Sequence, residues 1–169
     1  MTHAGDIIVQ DATWSNRTAL REVLLTSGVF GASDADCVDD MFTETWMRPR
    51  PDAYRWMVAV DAATQHVHGF ACFGQESLTK STWDLFWICL RAEARGRGIG
   101  RMLIDAAVQH ATAAGGSVMV IYTSSNDAYA PARRLYAAAG FVAASEVPDY
   151  YAEGDNLLIY WRRLCPKSA

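Results

Sequence analysis

Residues 91–102, RAEARGRGIGRM, place four arginines and three glycines in twelve positions, directly after the apolar run WDLFWICL at 83–90. A strand that gives way to a helix through such a turn leaves the first backbone N–H groups of the helix unpaired at the positive end of its dipole. The natural partner of those amides is an anion. Glycine lets them approach a phosphate with no Cβ in the way, and arginine adds charge and planar donors matched to phosphate oxygens. The stretch Arg95, Gly96, Arg97, Gly98, Ile99, Gly100 and Arg101 therefore reads as a pyrophosphate cradle. Two other phosphate loops fit it less well. A P-loop needs Lys followed by Ser or Thr after its last glycine, and Arg101-Met102 stands there. A dinucleotide fingerprint needs a third glycine where Arg101 falls and an acidic residue about twenty positions on. Tyr122-Thr123-Ser124 occupies that place.

The rest of the composition narrows the class. The chain has 169 residues, 51% of them hydrophobic and 11% aromatic, which is enough for one core and too little for two comfortable domains. A single domain over 1–169 is expected. Its longest apolar runs, such as Leu157-Leu158-Ile159-Tyr160-Trp161, are strand-length, and Met1 to Asp6 lack a secretory pattern, so a soluble cytoplasmic protein with no membrane partner is expected. Cys37, Cys72, Cys89 and Cys165 are scattered without CxxC spacing and read as free thiols. His3, His66, His68 and His110 supply no ligand set, so no metal is expected. With 15 basic against 19 acidic residues there is no nucleic-acid footprint. Charge is uneven along the chain, however. Arg91, Arg95, Arg97 and Arg101 make a cationic spot, while Glu146, Asp149, Glu153 and Asp155 make an anionic one, so one end can attract an anion and another a cation.

These residues must be positioned by an alternation of strands and helices. Residues 7–10 read as a strand, 17–26 as a helix stopped at Gly28, and a second helix is capped at Ser33 and ends before the RPRP stretch at 48–51. Strands follow at 54–60, 67–75 and 83–90, the first two joined by a polar turn that suits a hairpin. Ile99, Met102, Leu103, Ala106, Ala107 and His110 trace one helix face that Gly115-Gly116 ends. The run 118–123 is apolar throughout, as a central parallel strand is, and a helix at about 129–139 and strands near 141–145 and 156–163 complete a mixed α/β, or α+β, sheet.

Two motifs in order give this chain a family resemblance. Arg95, Gly98 and Gly100 match the acyl-CoA loop of the GNAT (Gcn5-related N-acetyltransferase) superfamily, Arg/Gln-x-x-Gly-x-Gly/Ala, and residues 132–141, ARRLYAAAGF, resemble its second signature, A-x-x-L-Y-x-x-x-G-F. The resemblance spans about residues 6 to 164. It implies a mostly antiparallel sheet of six to seven strands, with a splayed parallel pair at strands 4 and 5 and about four helices. It also implies acetyl-CoA as co-substrate, with the diphosphate on the amides of Arg95 to Arg101 and the acetyl carbonyl and pantetheine arm against the backbone of Cys89 and Leu90. The implied reaction is direct attack of an amine, from a small molecule or a peptide, in a ternary complex.

On that resemblance Tyr136 is the acid that protonates the departing sulfur, a phenol being protonated at neutral pH. Asp84, six residues before Leu90, stands where the histone-acetylating branch has a glutamate. An acid between Trp83 and Leu85 has its pKa raised by burial, and it reads either as a base acting through water or as a substrate anchor or structural group. Glu76 is a second candidate. Where many members carry a cofactor-binding asparagine this chain has Tyr129, so Asn126 or Tyr129 takes that contact, and Arg133 and Arg134 can reach a CoA phosphate. The acceptor pocket draws on Trp46, Trp56, Trp83, Trp87, Tyr150 and Tyr151, with Asp149, Glu153 and Asp155, a mix that suits a cationic amine. A homodimer is an option that the resemblance alone carries. Two other classes stay open: an acyl-CoA-binding regulatory module without turnover, and a nucleotide-binding enzyme of another type.

Overall fold

The computed structural model describes residues 6–50 and 53–164; His3 and Cys165 lie outside them. In chain order the elements are β1 (Ile7–Asp11), α1 (Arg17–Thr26), α2 (Ala32–Met47), β2 (Arg55–Asp61), β3 (Val67–Gln75), β4 (Thr82–Leu90), α3 (Ile99–Ala113), β5 (Val118–Ser124), α4 (Ala130–Ala138), β6 (Val142–Ala152) and β7 (Asp155–Arg163). They build one seven-stranded sheet in the order β1-β2-β3-β4-β5-β7-β6. Every neighbouring pair is antiparallel except β4 with β5. Among the described residues no helix is long and apolar enough to cross a membrane.

Strand periodicity explains the two faces. On one, Ile99, Leu103, Ile104 and Ala107 of α3 pack against Phe73, Leu85, Met119 and Ile121. On the other, Leu20, Val23 and Leu24 of α1 and Val38 and Phe42 of α2 pack against Val58, Phe70 and Cys72. Central β3 gives alternate residues to both cores, which is why it is apolar along nearly its whole length.

Two boundaries differ from the sequence expectation. Helix α2 is capped by Gly31, not Ser33, because the Asp34 carboxylate reaches back to accept the Gly31 N–H at 2.8 Å and closes the first turn from inside. Strand β6 runs to Ala152, well past 145, and every one of its residues is exposed. As the sheet edge it has no buried face, so it carries no alternation for a sequence reading to find.

Candidate functional site

The site grows out of a split in the sheet. Strands β4 and β5 pair only from Thr82 to Asp84 with Val118 to Val120, whereas β4 continues to pair with β3 as far as Leu90. The register slips at Phe86, which has no partner between Leu85 and Trp87, and this extra residue turns the far half of β4 away from β5. Main-chain groups on the β5 side of that half are left without a ladder. A cavity of about 1000 Å³ fills the opening.

The glycine stretch closes one end of this cavity. Gly96 and Gly98 have φ of +73° and +78°, and a Cβ built on either would meet no atom within 4 Å, so open space lies in front of the backbone. Gly98 caps α3, and the first helical bond is from Met102 N–H to the Gly98 carbonyl. The amides of Ile99, Gly100 and Arg101 therefore precede the helical ladder and have no acceptor among the described residues. Gly100 has a different reason to be glycine: its Cβ would stand 2.7 Å from Leu135 Cδ2, so the bare backbone lets α3 close on α4. Unpaired amides facing open space at the start of a helix are groups that an anion can bind.

The four arginines of the loop, alike in sequence, have separate fates. Arg91 is 8% exposed and points into the fold. Its Nε donates to the Val67 carbonyl at 2.8 Å and its Nη2 to Glu22 at 3.0 Å, so it is a structural clamp and leaves the cationic spot to its neighbours. Arg95 lines the cavity and donates to the Ser27 carbonyl at the end of α1. Arg101 also lines it, paired with Asp105 at 2.8 Å and bonded to the Ala138 carbonyl. Arg97 is exposed beside the cradle. Replacing Arg91 by leucine strands the Val67 carbonyl, and the expected loss of stability is about 1–3 kcal/mol by urea denaturation.

The remaining cofactor candidates fall into two groups. Cys89, Leu90 and Tyr129 line the cavity. Burial pushes the Cys89 thiol up to about 12, against smaller opposing effects of Ser27 and Arg95, so it stays a thiol. Asn126 and Arg133 stand behind the wall. The Asn126 side chain accepts the Ala128 N–H at 2.9 Å, and Arg133 Nη1 donates to the Ser124 and Asn126 carbonyls at 2.7 and 2.8 Å, which fixes the turn carrying Tyr129.

Tyr136 reaches the cavity from α4 with only 5% of its surface exposed. Its hydroxyl makes no hydrogen bond to any described residue, and burial, with smaller contributions from Tyr129 and Tyr160, raises the phenol far above its ordinary value. Asp84 sits at the closed root of the split, 5% exposed, on the sheet face opposite Trp83 and Leu85. Burial first, then the nearby Glu76 carboxyl, lifts it to about 6. Neither carboxyl lines the main cavity, but both act electrostatically on Tyr122, which does. That ring lines the wall, and its phenol is raised by burial and then by Asp84 and Glu76.

Of the aromatic pocket candidates, Trp87 and Tyr151 line the cavity, with Asp155. Trp56 and Trp83 are 6% exposed core residues, Trp46 lies tilted against Phe42 outside the cavity, and Tyr150 is 60% exposed beside Tyr151. Sequence reasoning missed Phe30, Asp34 and Tyr122. Tyr122 alone carried a signal, since strand alternation sets it opposite buried Met119 and Ile121.

Family and fold are shared with known proteins. The sequence model of the acetyltransferase (GNAT) family matches residues 19–141, and the chain belongs to that family. No curated protein matches it. Among solved structures, a protein from Desulfovibrio desulfuricans assigned to the GNAT family is 27% identical, with a TM-score of 0.87 over 95% of this chain and 100% of the other. The yncA protein of Salmonella typhimurium, solved with its cofactor acetyl-CoA, is 19% identical with a TM-score of 0.73 over 96% of each chain. An aminoglycoside 6'-N-acetyltransferase complexed with coenzyme A is 17% identical, with a TM-score of 0.73 over 96% of this chain and 99% of that one.

Proposed function

We propose that this single domain is an N-acetyltransferase that moves an acetyl group from acetyl-CoA to a primary amine of a small molecule or peptide, by direct attack in a ternary complex. The observation that carries the reading is the split between β4 and β5, with free loop amides at one end and the unpartnered Tyr136 hydroxyl in its wall. Acetyl-CoA supplies an activated acyl group as a thioester. The amides of Ile99, Gly100 and Arg101 hold the diphosphate, Arg97 adds charge, and the unladdered edge of β4 at Cys89 and Leu90 aligns the arm.

The amine nitrogen forms a bond to the acyl carbon as the carbon–sulfur bond breaks. Asp84 takes the ammonium proton through water along Tyr122, and the nitrogen gives its second proton to solvent water once the carbon–nitrogen bond has formed. Tyr136 protonates the leaving sulfur and is reprotonated from solvent, so of the two protons lost by nitrogen one is taken up by sulfur and one is released per turnover. The buried phenol remains protonated at any assay pH, as a donor must. Free Cys37, Cys72 and Cys89 suit the cytoplasm, where we place the enzyme.

Release of free thiol from acetyl-CoA across an amine panel tests the reading. A protein that binds acetyl-CoA but releases no thiol with any amine is a binding module instead. A further outcome concerns pH. A base must be ionised, and Asp84 is raised to about 6, so kcat/KM rises as pH increases through about 6 and falls away below it. Asp84→Asn removes that limb and lowers kcat by about tenfold to thirtyfold, a relayed base contributing less than one bonded to its substrate.

A further inference from the structure

Charge in the cavity is segregated. Its arginines, Arg95 and Arg101, lie at the glycine loop, and both have protein partners. Its carboxylates, Asp34 on α2 and Asp155 on β7, belong to no ion pair among the described residues. Each has one oxygen committed and one free. Asp34 Oδ2 accepts the Gly31 N–H at 2.8 Å, and Asp155 Oδ1 accepts from the Ser124 hydroxyl. These bonds fix both carboxylates while leaving Asp34 Oδ1 and Asp155 Oδ2 without a donor among the described residues.

Aromatic rings line the same cavity. Phe30 meets Tyr129 edge-on at 6.0 Å and Trp87 at 5.5 Å, and Tyr151 adds a ring from β6. The negative field of both carboxylates reaches the Tyr129 phenol, which is raised first by burial and then by Asp34 and Asp155. Rings with paired acids and no resident cation are a site for an ammonium group, which gains both charge and quadrupole attraction when partly desolvated. The same cavity contains Tyr136, 5% exposed, whose hydroxyl has no partner among the described residues and points to a ligand independently of the acids.

Resting on the acyl-transfer reading above, we infer that the acceptor is a small dication, whose second ammonium sits between Asp34 and Asp155 against Tyr129 and Tyr151 while the first reacts. Spacing supports a short molecule. Asp84 pairs with Val120, and Asp155 bonds to Ser124 four residues further along β5. That separates the two acidic poles by about 13 Å along the strand. A nitrogen reacting midway has its partner nitrogen roughly 6–7 Å off, the span of a four- to five-carbon alkyl diamine. A peptide acceptor is disfavoured, since both acids lie within the cavity and not along the exposed β6 edge where an extended chain would pair.

The test compares kcat/KM for 1,4-diaminobutane and 1,5-diaminopentane with that for butylamine and for a short peptide with a free N-terminus, by thiol release. The diamines are expected to exceed butylamine by about 30-fold, as one cage-and-carboxylate contact implies. In Asp34→Asn/Asp155→Asn, whose amide oxygens keep the Gly31 and Ser124 bonds, the diamine-to-butylamine ratio is expected to fall to about 3 or less. A loosened fold would lower both rates and leave the ratio in place. Equal rates for butylamine and the diamines, a ratio unmoved in the double variant, or preference for the peptide overturns this inference and leaves acyl transfer standing. Failure to release thiol with any amine overturns both.

Discussion

Tyr136→Phe is expected to lower kcat by about a hundredfold or more while leaving acetyl-CoA affinity within about threefold of the wild type, the scale of a lost general acid. The substitution removes one oxygen from a side chain that is 5% exposed and packed beside Phe141 and Tyr160. No described residue bonds to that oxygen, so folding does not depend on it, and the unfolding free energy should move by less than about 1 kcal/mol. A hydroxyl with no structural partner, kept protonated by burial in the wall of the cleft, is free for the leaving sulfur. Stopped assays with a saturating amine and calorimetric titration of acetyl-CoA separate the two effects. Full turnover in the variant would remove Tyr136 from the chemistry.

The second large effect is expected at the loop. Gly98→Val should weaken acetyl-CoA binding by about a hundredfold, from two sources. Gly98 is at φ +78°, in a region that a side chain enters at a cost of about 1–2 kcal/mol. Its Cβ would also project into the open space before the amides of Ile99 and Gly100, where a phosphate must approach. Gly115→Val separates strain from blockage. That residue has φ of +84° and equally open surroundings, but stands at the far end of α3. It should lose comparable stability and keep acetyl-CoA affinity.

The sequence made the cradle legible because its physics is local: glycine and arginine types, the strand before them and the helix after them suffice. Helix α3 was legible for the same reason, but its buried face runs through Ile99, Leu103, Ile104, Ala107, Val108 and Ala111 and leaves Met102 exposed, about one position round from the face that Met102, Ala106 and His110 marked in the sequence. The split parallel pair came only through the family resemblance, since nothing in WDLFWICL marks Phe86 as the extra residue that turns β4 aside. That one slip decides the fate of the tryptophans, with Trp83 before it facing the α3 core and Trp87 after it lining the cavity. Arg91 and Arg95 illustrate the same limit. Identical in type and four positions apart, they are separated by where β4 ends, which sends one to the Val67 carbonyl and the other to the cleft. Asp34 was invisible because a helix-capping acid and a pocket acid have the same sequence appearance, and here one residue is both.

The account rests on an acylated, diphosphate-bearing carrier lodging between β4 and β5 with its phosphates on the amides that open α3. Calorimetric titration of acetyl-CoA into the folded protein measures this most directly. Saturable binding at a single site per chain, weakened in Gly98→Val and retained in Gly115→Val, is the result expected. A chain that keeps its far-ultraviolet circular dichroism and yet shows no heat of binding would contradict it.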